Sequence, residues 1–396
     1  MDRTADVGRS RLVDEGAHVV VAPDSFKGSL SAADAGAAIA AGVRAAVPQA
    51  RVTVRPMADG GEGTLVALAA AWGVRTHEVA TVDALGRPTT ARWAASPDGR
   101  VGVVELAEAS GLPAVADVPL RPLHAHTRGA GTLAAAVLDA GVEEVVVCLG
   151  GSASTDGGAG LLTGLGARLL ATDGAPVADG GAGLAQVAAL DLSGLHPRAG
   201  VVRWRLAVDV THPLVGARGA AAVFGPQKGA DPGQVAALDA GLRRWSALLE
   251  ELTGVRTGDL PGAGAAGGVP AALVAVLGAE LEPGVDLVAG AVGLPEAVAD
   301  ADLVLTGEGS FDAQSLHGKV PAGVARVAGA APSRPPVVVL AGQVLLPVAQ
   351  LRAAGIAAAF SLAAGPSGRD ELVAQAADRL REVAAQVARL VLGTRR

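Results

Sequence analysis

The sequence predicts an α/β protein of two domains: a doubly wound parallel sheet built from both ends of the chain, and a mixed α+β domain inserted between them. Three observations carry this. Strand, loop and helix follow one another twice before residue 77, the pattern of a parallel sheet. The strand-like runs then shorten and are separated by turn pairs such as Leu85-Gly86 and Asp98-Gly99, which implies antiparallel pairing. Strand–helix alternation returns after about residue 297. Residues 1–77 and 297–396 are therefore assigned to the sheet domain and 78–296 to the insert, with 1–17 a loose leader.

The elements follow in order. His18–Ala22 reads as a buried strand ending in Pro23-Asp24-Ser25-Phe26-Lys27-Gly28, and Ser31 and Asp34 open a helix that Pro48 closes. Arg51–Met57 is a second strand, Asp59-Gly60-Gly61-Glu62-Gly63 a loop, and Thr64–Trp72 a second helix. Glu78–Val82, Thr89–Ala94 and Val101–Leu106 are short strands; a helix near Thr132–Ala140 and a strand at Glu144–Leu149 precede the glycine-rich run Gly150–Gly160. Late in the chain, Ala301–Leu305 is a strand ending in a Thr306-Gly307-Glu308-Gly309 loop, followed by a helix near Pro321–Ala330. Pro336–Leu340 and Ile356–Ser361 are further strands, and Asp370–Leu392 is a helix.

Composition excludes several classes. Of 396 residues, 50% are apolar and 18% charged, too apolar for a disordered chain. Cys148 is the only cysteine, so no disulfide scaffold exists. The formal net charge of −7 gives no bulk attraction for nucleic acid or an anionic membrane, so any anion must be held by local positive charge. Mean hydropathy of +0.41 invites a membrane reading, but the longest charge-free run, Leu260–Ala279, is broken by Pro261, Pro270 and five glycines. Residues 1–18 lack the apolar core of a secretory signal. The expectation is a cytoplasmic protein.

Four polar loops carry the chemistry. Ligands of open α/β sheets sit at the carboxyl ends of strands. Asp24, Ser25 and Lys27 supply a carboxylate, a hydroxyl and an ammonium beside a helix start, suited to an anionic ligand. Asp59, Gly60, Gly61 and Glu62 let backbone approach a ligand closely and offer two carboxylates for Mg²⁺ or a hydroxyl. Gly150, Gly151, Ser152 and Asp156 combine glycines, hydroxyls and an acid in a phosphate-cradling run. Thr306, Gly307, Glu308, Gly309 and Asp312, with His317-Gly318-Lys319 beyond, suit a metal–phosphate site; Asp209 and Lys228 add another acid and base. Gly262, Gly264 and Gly267 match a dinucleotide fingerprint but follow a loop instead of a strand. Acids for a metal, lysines for anions and glycine–hydroxyl loops point to phosphoryl transfer, without naming a substrate.

Several motifs resemble the bacterial class I glycerate kinases. They are Ala22–Leu30, Met57–Thr64, Phe224-Gly225-Pro226-Gln227-Lys228-Gly229-Ala230, Gly262–Gly268 and Leu305–Gly309, and the likeness runs in order from about 18 to 392. The resemblance implies ATP- and Mg²⁺-dependent phosphorylation of D-glycerate, with 2-phosphoglycerate as the favoured product. It implies two α/β domains around a cleft, one a discontinuous Rossmann- or flavodoxin-like sheet. It turns Gly262–Gly268 into a family loop. On this reading Asp24, Lys27, Asp209 and Lys319 are the catalytic candidates. Ser25, Asp59, Gly60, Gly61, Glu62, Ser152, Asp156 and Lys228 are substrate contacts. Gly150, Gly151, Thr306, Gly307 and Gly309 contact ATP, and Asp59, Glu62, Asp156, Glu308 and Asp312 are candidates for Mg²⁺. The chain departs from the family pattern at Thr155, where asparagine is usual, at Thr132 for a carboxylate, and at Ser310 and His212. The alternatives are transfer to the 3-hydroxyl or to another small hydroxy acid, and a noncatalytic sensor of sugar acids or nucleotides.

Overall fold

The computed structural model describes residues 16–316, 318–363, 365 and 368–393. The expected leader lies almost wholly outside them, as does His317. The chain divides into two compact units. The first takes the described residues up to Asp59, with Val66–Ala71 and the described residues from Val285 onward; the second takes Gly60–Leu65 and Trp72–Gly284.

The first unit holds a five-stranded, wholly parallel sheet in the order Ala358–Ser361, Val337–Val344, Leu303–Phe311, His18–Val21, Arg51–Val54. Counted along this unit alone, the order is 2-1-3-4-5, the flavodoxin-like doubly wound arrangement. Val19, Val20 and Val21 are all fully buried, so both faces of this strand are covered, as a run without alternation requires. Its register with the late strand is Val19↔Leu303, Val20↔Val304, Val21↔Leu305. The helix Ala32–Ala46 starts where expected: the Ser31 hydroxyl accepts the Asp34 backbone N–H. It packs so closely on the C-terminal helix Ala376–Leu392 that a β-carbon at Gly42 would lie 2.1 Å from the Arg381 carbonyl oxygen.

The Thr306–Gly309 segment is not a loop. The strand runs from Leu303 to Phe311, and its pairing continues through Thr306↔Val339, Gly307↔Leu340 and Glu308↔Ala341. The glycines here serve close approach. A β-carbon at Gly307 would come within 2.1 Å of the Leu340 carbonyl oxygen. The partner strand likewise continues through Gly342 to Val344, and the expected C-terminal helix is two helices, Arg369–Ala374 and Ala376–Leu392.

The second unit holds a mixed six-stranded sheet in the order Glu280–Glu282, Arg203–Ala207, Glu144–Cys148, Val101–Glu105, Pro88–Ala95, His77–Val82. Antiparallel pairing is confined to the last three of these strands; the other three join in parallel, with the helix Arg128–Asp139 leading into the first parallel crossover. Trp93, Leu133, Val145 and Trp204 build one core and Leu162, Leu242 and Trp245 another. No helix among the described residues is long and apolar enough to cross a membrane.

Candidate active site

In the first unit the sheet changes direction between His18–Val21 and Leu303–Phe311, and ligands of such sheets bind outside the strand ends at that point. Asp24 follows the first of these strands, and its backbone N–H donates to the Gly307 carbonyl at 2.8 Å. The Met57 N–H donates to the Pro23 carbonyl at 2.9 Å, which brings the segment leading to Asp59 alongside. Asp24 is buried, and its Oδ1 accepts the Ser25 backbone N–H. Burial pushes its carboxyl up to about 7; the Asp59 and Glu308 charges add to the shift, while the Ser25 N–H and Lys27 oppose it.

Glu308 is 5% exposed, and its Oε1 has no hydrogen-bond partner among the described residues. Burial holds its carboxyl above the ordinary range, with Asp312 and Asp59 in the same direction and the Ser315 hydroxyl and Lys319 against it. The structure thus gathers Asp24, Ser25, Lys27, Asp59, Glu308, Asp312 and Lys319 in one unit. Lys27 is exposed and Lys319 half-buried at the start of the helix Val320–Ala330. Asp312 also caps a turn, its Oδ1 accepting the Gln314 N–H. Two expected nucleotide contacts are corrected. The Thr306 hydroxyl is fully buried and donates to the Ala22 carbonyl at 2.7 Å, and Gly307 lies inside the sheet. Gly309 lies beneath the Phe26–Lys27 backbone.

In the second unit two glycine loops touch backbone to backbone. A β-carbon at Gly150 would lie 2.5 Å from the Gly61 Cα and 2.8 Å from the Glu62 nitrogen. Gly151 sits under the exposed Glu62 side chain. Gly60 packs against Ala207 and Gly284, and Asp209 accepts the Gly284 N–H at 2.9 Å. Lys228 is 3% exposed; its Nζ donates to the Ser152 hydroxyl and the Ser154 carbonyl. Burial pushes the ammonium down to about 8, against the pull of Asp156. Lys228, expected as a substrate contact, therefore clamps the 152–154 segment and does not stand open to a ligand.

Asp156 is also corrected. It is fully buried, and its carboxylate accepts the Thr127 N–H and hydroxyl at 2.8 Å each and the Gly158 and Gly160 N–H groups. A group so occupied anchors the start of the helix Ala159–Gly164 instead of a metal. Asp156→Asn is expected to lower unfolding stability by about 2–4 kcal/mol, since hydrogen bonds to a charged group are worth about 1.5–3 kcal/mol each. Urea unfolding measures this, and unchanged stability would restore the metal role. Thr155 is fully buried and its hydroxyl has no partner among the described residues, so that departure from the usual asparagine is a packing position.

Two residues escaped the sequence reading. Thr127 relays Asp156 to the Leu161 N–H. Glu105 is buried and accepts the Gly63 N–H on one oxygen and the Leu65 N–H on the other, at 2.9 Å each. Its only signal was its place at the carboxyl end of a valine-rich strand.

Residues 19–392 match the model of the glycerate kinase family. The glycerate 2-kinase of Escherichia coli (strain K12) is 42% identical over 375 residues, covering 93% of this chain and 98% of that protein. A glycerate kinase of Halalkalibacterium halodurans is 42% identical over 370 residues, covering 93% and 97%. The crystal structure of a protein assigned as glycerate kinase 2 from Salmonella typhimurium LT2 superposes with a TM-score of 0.87 at 41% identity, covering 95% of this chain and 98% of that one. Matched along nearly its whole length by the family model and by relatives of this similarity, the chain belongs to the glycerate kinase family.

Proposed function

We propose that the protein transfers the γ-phosphoryl group of ATP to the 2-hydroxyl of D-glycerate. The observation that carries this reading is the pair of buried carboxyls Asp24 and Glu308, with the half-buried Asp59 acting on both and Lys27 and Lys319 within electrostatic reach, at the switch point of the first sheet. Phosphoryl transfer asks for positioning and charge stabilisation more than for covalent chemistry. At a net charge of −7 the protein as a whole repels both substrates, so the two lysines supply the local attraction.

Asp59 and Glu308 fit Mg²⁺. The Glu308 Oε1 is a buried carboxylate oxygen without a partner among the described residues, which a cation would satisfy. Among the described residues no three acidic, histidine or cysteine side chains gather closely enough to enclose an ion alone. That suits Mg²⁺, which is usually held by one or two carboxylates and completed by water and substrate phosphates. When bound, it neutralises charge on the phosphoryl oxygens. Asp24 is the candidate to take the proton of the acceptor hydroxyl, and a carboxyl near 7 is matched to that task.

Since Asp24 works as the carboxylate, kcat/KM for glycerate is expected to rise with pH through about 7 and level off above it. Asp24→Asn should flatten that limb as well as lower kcat; a pH–rate profile of both proteins reads this. The acceptor is identified by phosphorus NMR of the product formed from D-glycerate and ATP. A 2-phosphoglycerate signal is expected. A 3-phosphoglycerate signal would overturn the acceptor position, and no ADP formation would overturn the reaction.

A further inference from the structure

We infer that Glu105 is a positioning residue for the acceptor substrate, acting by fixing the Gly60–Leu65 segment through the two backbone N–H groups it holds. The inference rests on the proposed reaction and on the resemblance by which Gly60, Gly61 and Glu62 are substrate contacts. Glu105 ends the strand Val101–Glu105, in register with Cys148 of the neighbouring parallel strand, and is 3% exposed. One carboxylate oxygen takes the Gly63 N–H and the other the Leu65 N–H, each at 2.9 Å. Between them the buried Thr64 hydroxyl donates back to the Gly61 carbonyl at 2.7 Å. Every residue from Gly61 to Leu65 is thus tied by its backbone or set between two that are, while the Gly61 Cα is pressed against Gly150.

Two consequences follow. The helix Thr64–Trp72 begins here, and a helix start normally offers unpaired N–H groups and a partial positive charge to an anion. Glu105 occupies those donors from inside the protein and cancels that charge. The neighbouring Glu62 adds negative charge; burial above all, and then the Glu108 and Glu62 charges, holds the Glu105 carboxyl above the ordinary range, against its Leu65 and Gly63 N–H partners. The segment is therefore built to receive hydroxyls, not phosphate, which separates it from the lysine-bearing cluster of the first unit. A second consequence concerns cost. A buried carboxylate is an expensive way to cap a helix, because a serine or aspartate at the start of the helix would satisfy one of the same donors near solvent. What Glu105 provides in addition is a rigid two-point hold from a sheet strand, with a planar acceptor that sets the distance and direction of both amides.

The test uses Glu105→Gln in the full-length protein, assayed where it remains folded. It keeps the side-chain shape but replaces one acceptor by an amide donor. KM for D-glycerate is expected to rise about tenfold or more, with KM for ATP within twofold. Hydrogen exchange of the Gly63 and Leu65 amides, read by NMR, should accelerate at least about tenfold relative to amides of the strand Glu144–Cys148. If Gln fails to fold, Glu105→Asp, which keeps both acceptors on a shorter arm, is read by the same split. A lower melting temperature or active fraction with both KM values unchanged would show a merely structural role and overturn the inference. Glu62→Gln separates it from the reading beneath it. Should this leave glycerate kinetics untouched, the acceptor-site assignment fails and the inference with it. Should it raise KM for glycerate while Glu105 variants do not, the inference alone fails.

Discussion

Lys228→Met is expected to lower kcat/KM by more than ~1,000-fold, about 4 kcal/mol of transition-state stabilisation. The buried ammonium donates to the Ser152 hydroxyl and the Ser154 carbonyl and faces the Asp156 charge. Methionine fills the volume but leaves the Ser152 hydroxyl and the Ser154 carbonyl without their buried donor, while Asp156 keeps its own four donors. Each buried polar group left unpaired costs about 1–3 kcal/mol. The loop it releases is the one whose Gly150 backbone lies against Gly61 and Glu62. Arginine should not rescue, since a planar fork does not fit a site shaped around one point charge. The wild-type protein carries a second signature of the same group. Burial lowers its ammonium to about 8, so activity should fall as pH rises through that value. Stability should move the other way. Between about 8 and the ordinary 10.5 the unfolded chain holds a proton that the folded chain has lost, so this lysine's contribution to stability increases with pH. Steady-state rates and urea titrations from pH 7 to 10 measure both. Activity that stays flat across this range would remove any need for the charge.

Asp59→Asn is expected to lower kcat/KM more than ~100-fold, about 2.7 kcal/mol, with little change in melting temperature. The charge of Asp59 also raises the Asp24 carboxyl, second only to burial. Its removal should therefore shift the acidic limb of the residual activity to lower pH. Near-normal turnover together with a large loss of melting temperature would make Asp59 a structural residue and leave the acidic cluster without its function. Glu308→Gln tests the same cluster from the opposite strand. Because both residues act on Asp24, the double variant should lose less than the sum of the two single effects.

Much of the fold was legible because burial writes itself into runs of one residue type. Val19-Val20-Val21 could only be a strand covered on both faces, and the Ser31–Asp34 spacing marked the helix start. Glycine was the misleading letter. Thr306-Gly307-Glu308-Gly309 looked like a turn, yet Gly307 is there because the Leu340 carbonyl leaves no room for a β-carbon. A single sequence does not separate glycine for a turn from glycine for contact. The acids divided on similar grounds. Asp24 feels the charges of Asp59 and Glu308, whereas Asp156 has its oxygens taken by four donors, some of them 29 positions away. Glu105 passed unnoticed because the two amides that give it meaning lie some forty residues earlier. Residue type announces chemistry; only folding tells whether that chemistry faces inward or outward.

The pairing of Val19 with Leu303 bears on how the chain comes to be folded at all. During synthesis at ~5–20 residues per second, roughly 15–60 s separate the emergence of these two central strands. By the end of that interval the second unit, continuous but for Gly60–Leu65, has all its sequence available and can close its cores. The early valine strand meanwhile can cover its Val19 and Val21 face with the helix Ala32–Ala46 but waits with one hydrogen-bonding edge open, a template for wrong partners. The nascent chain should therefore be most prone to aggregation just before residue 303 leaves the ribosome, and chaperone capture of ribosome-stalled intermediates should peak there and fall once Phe311 is free.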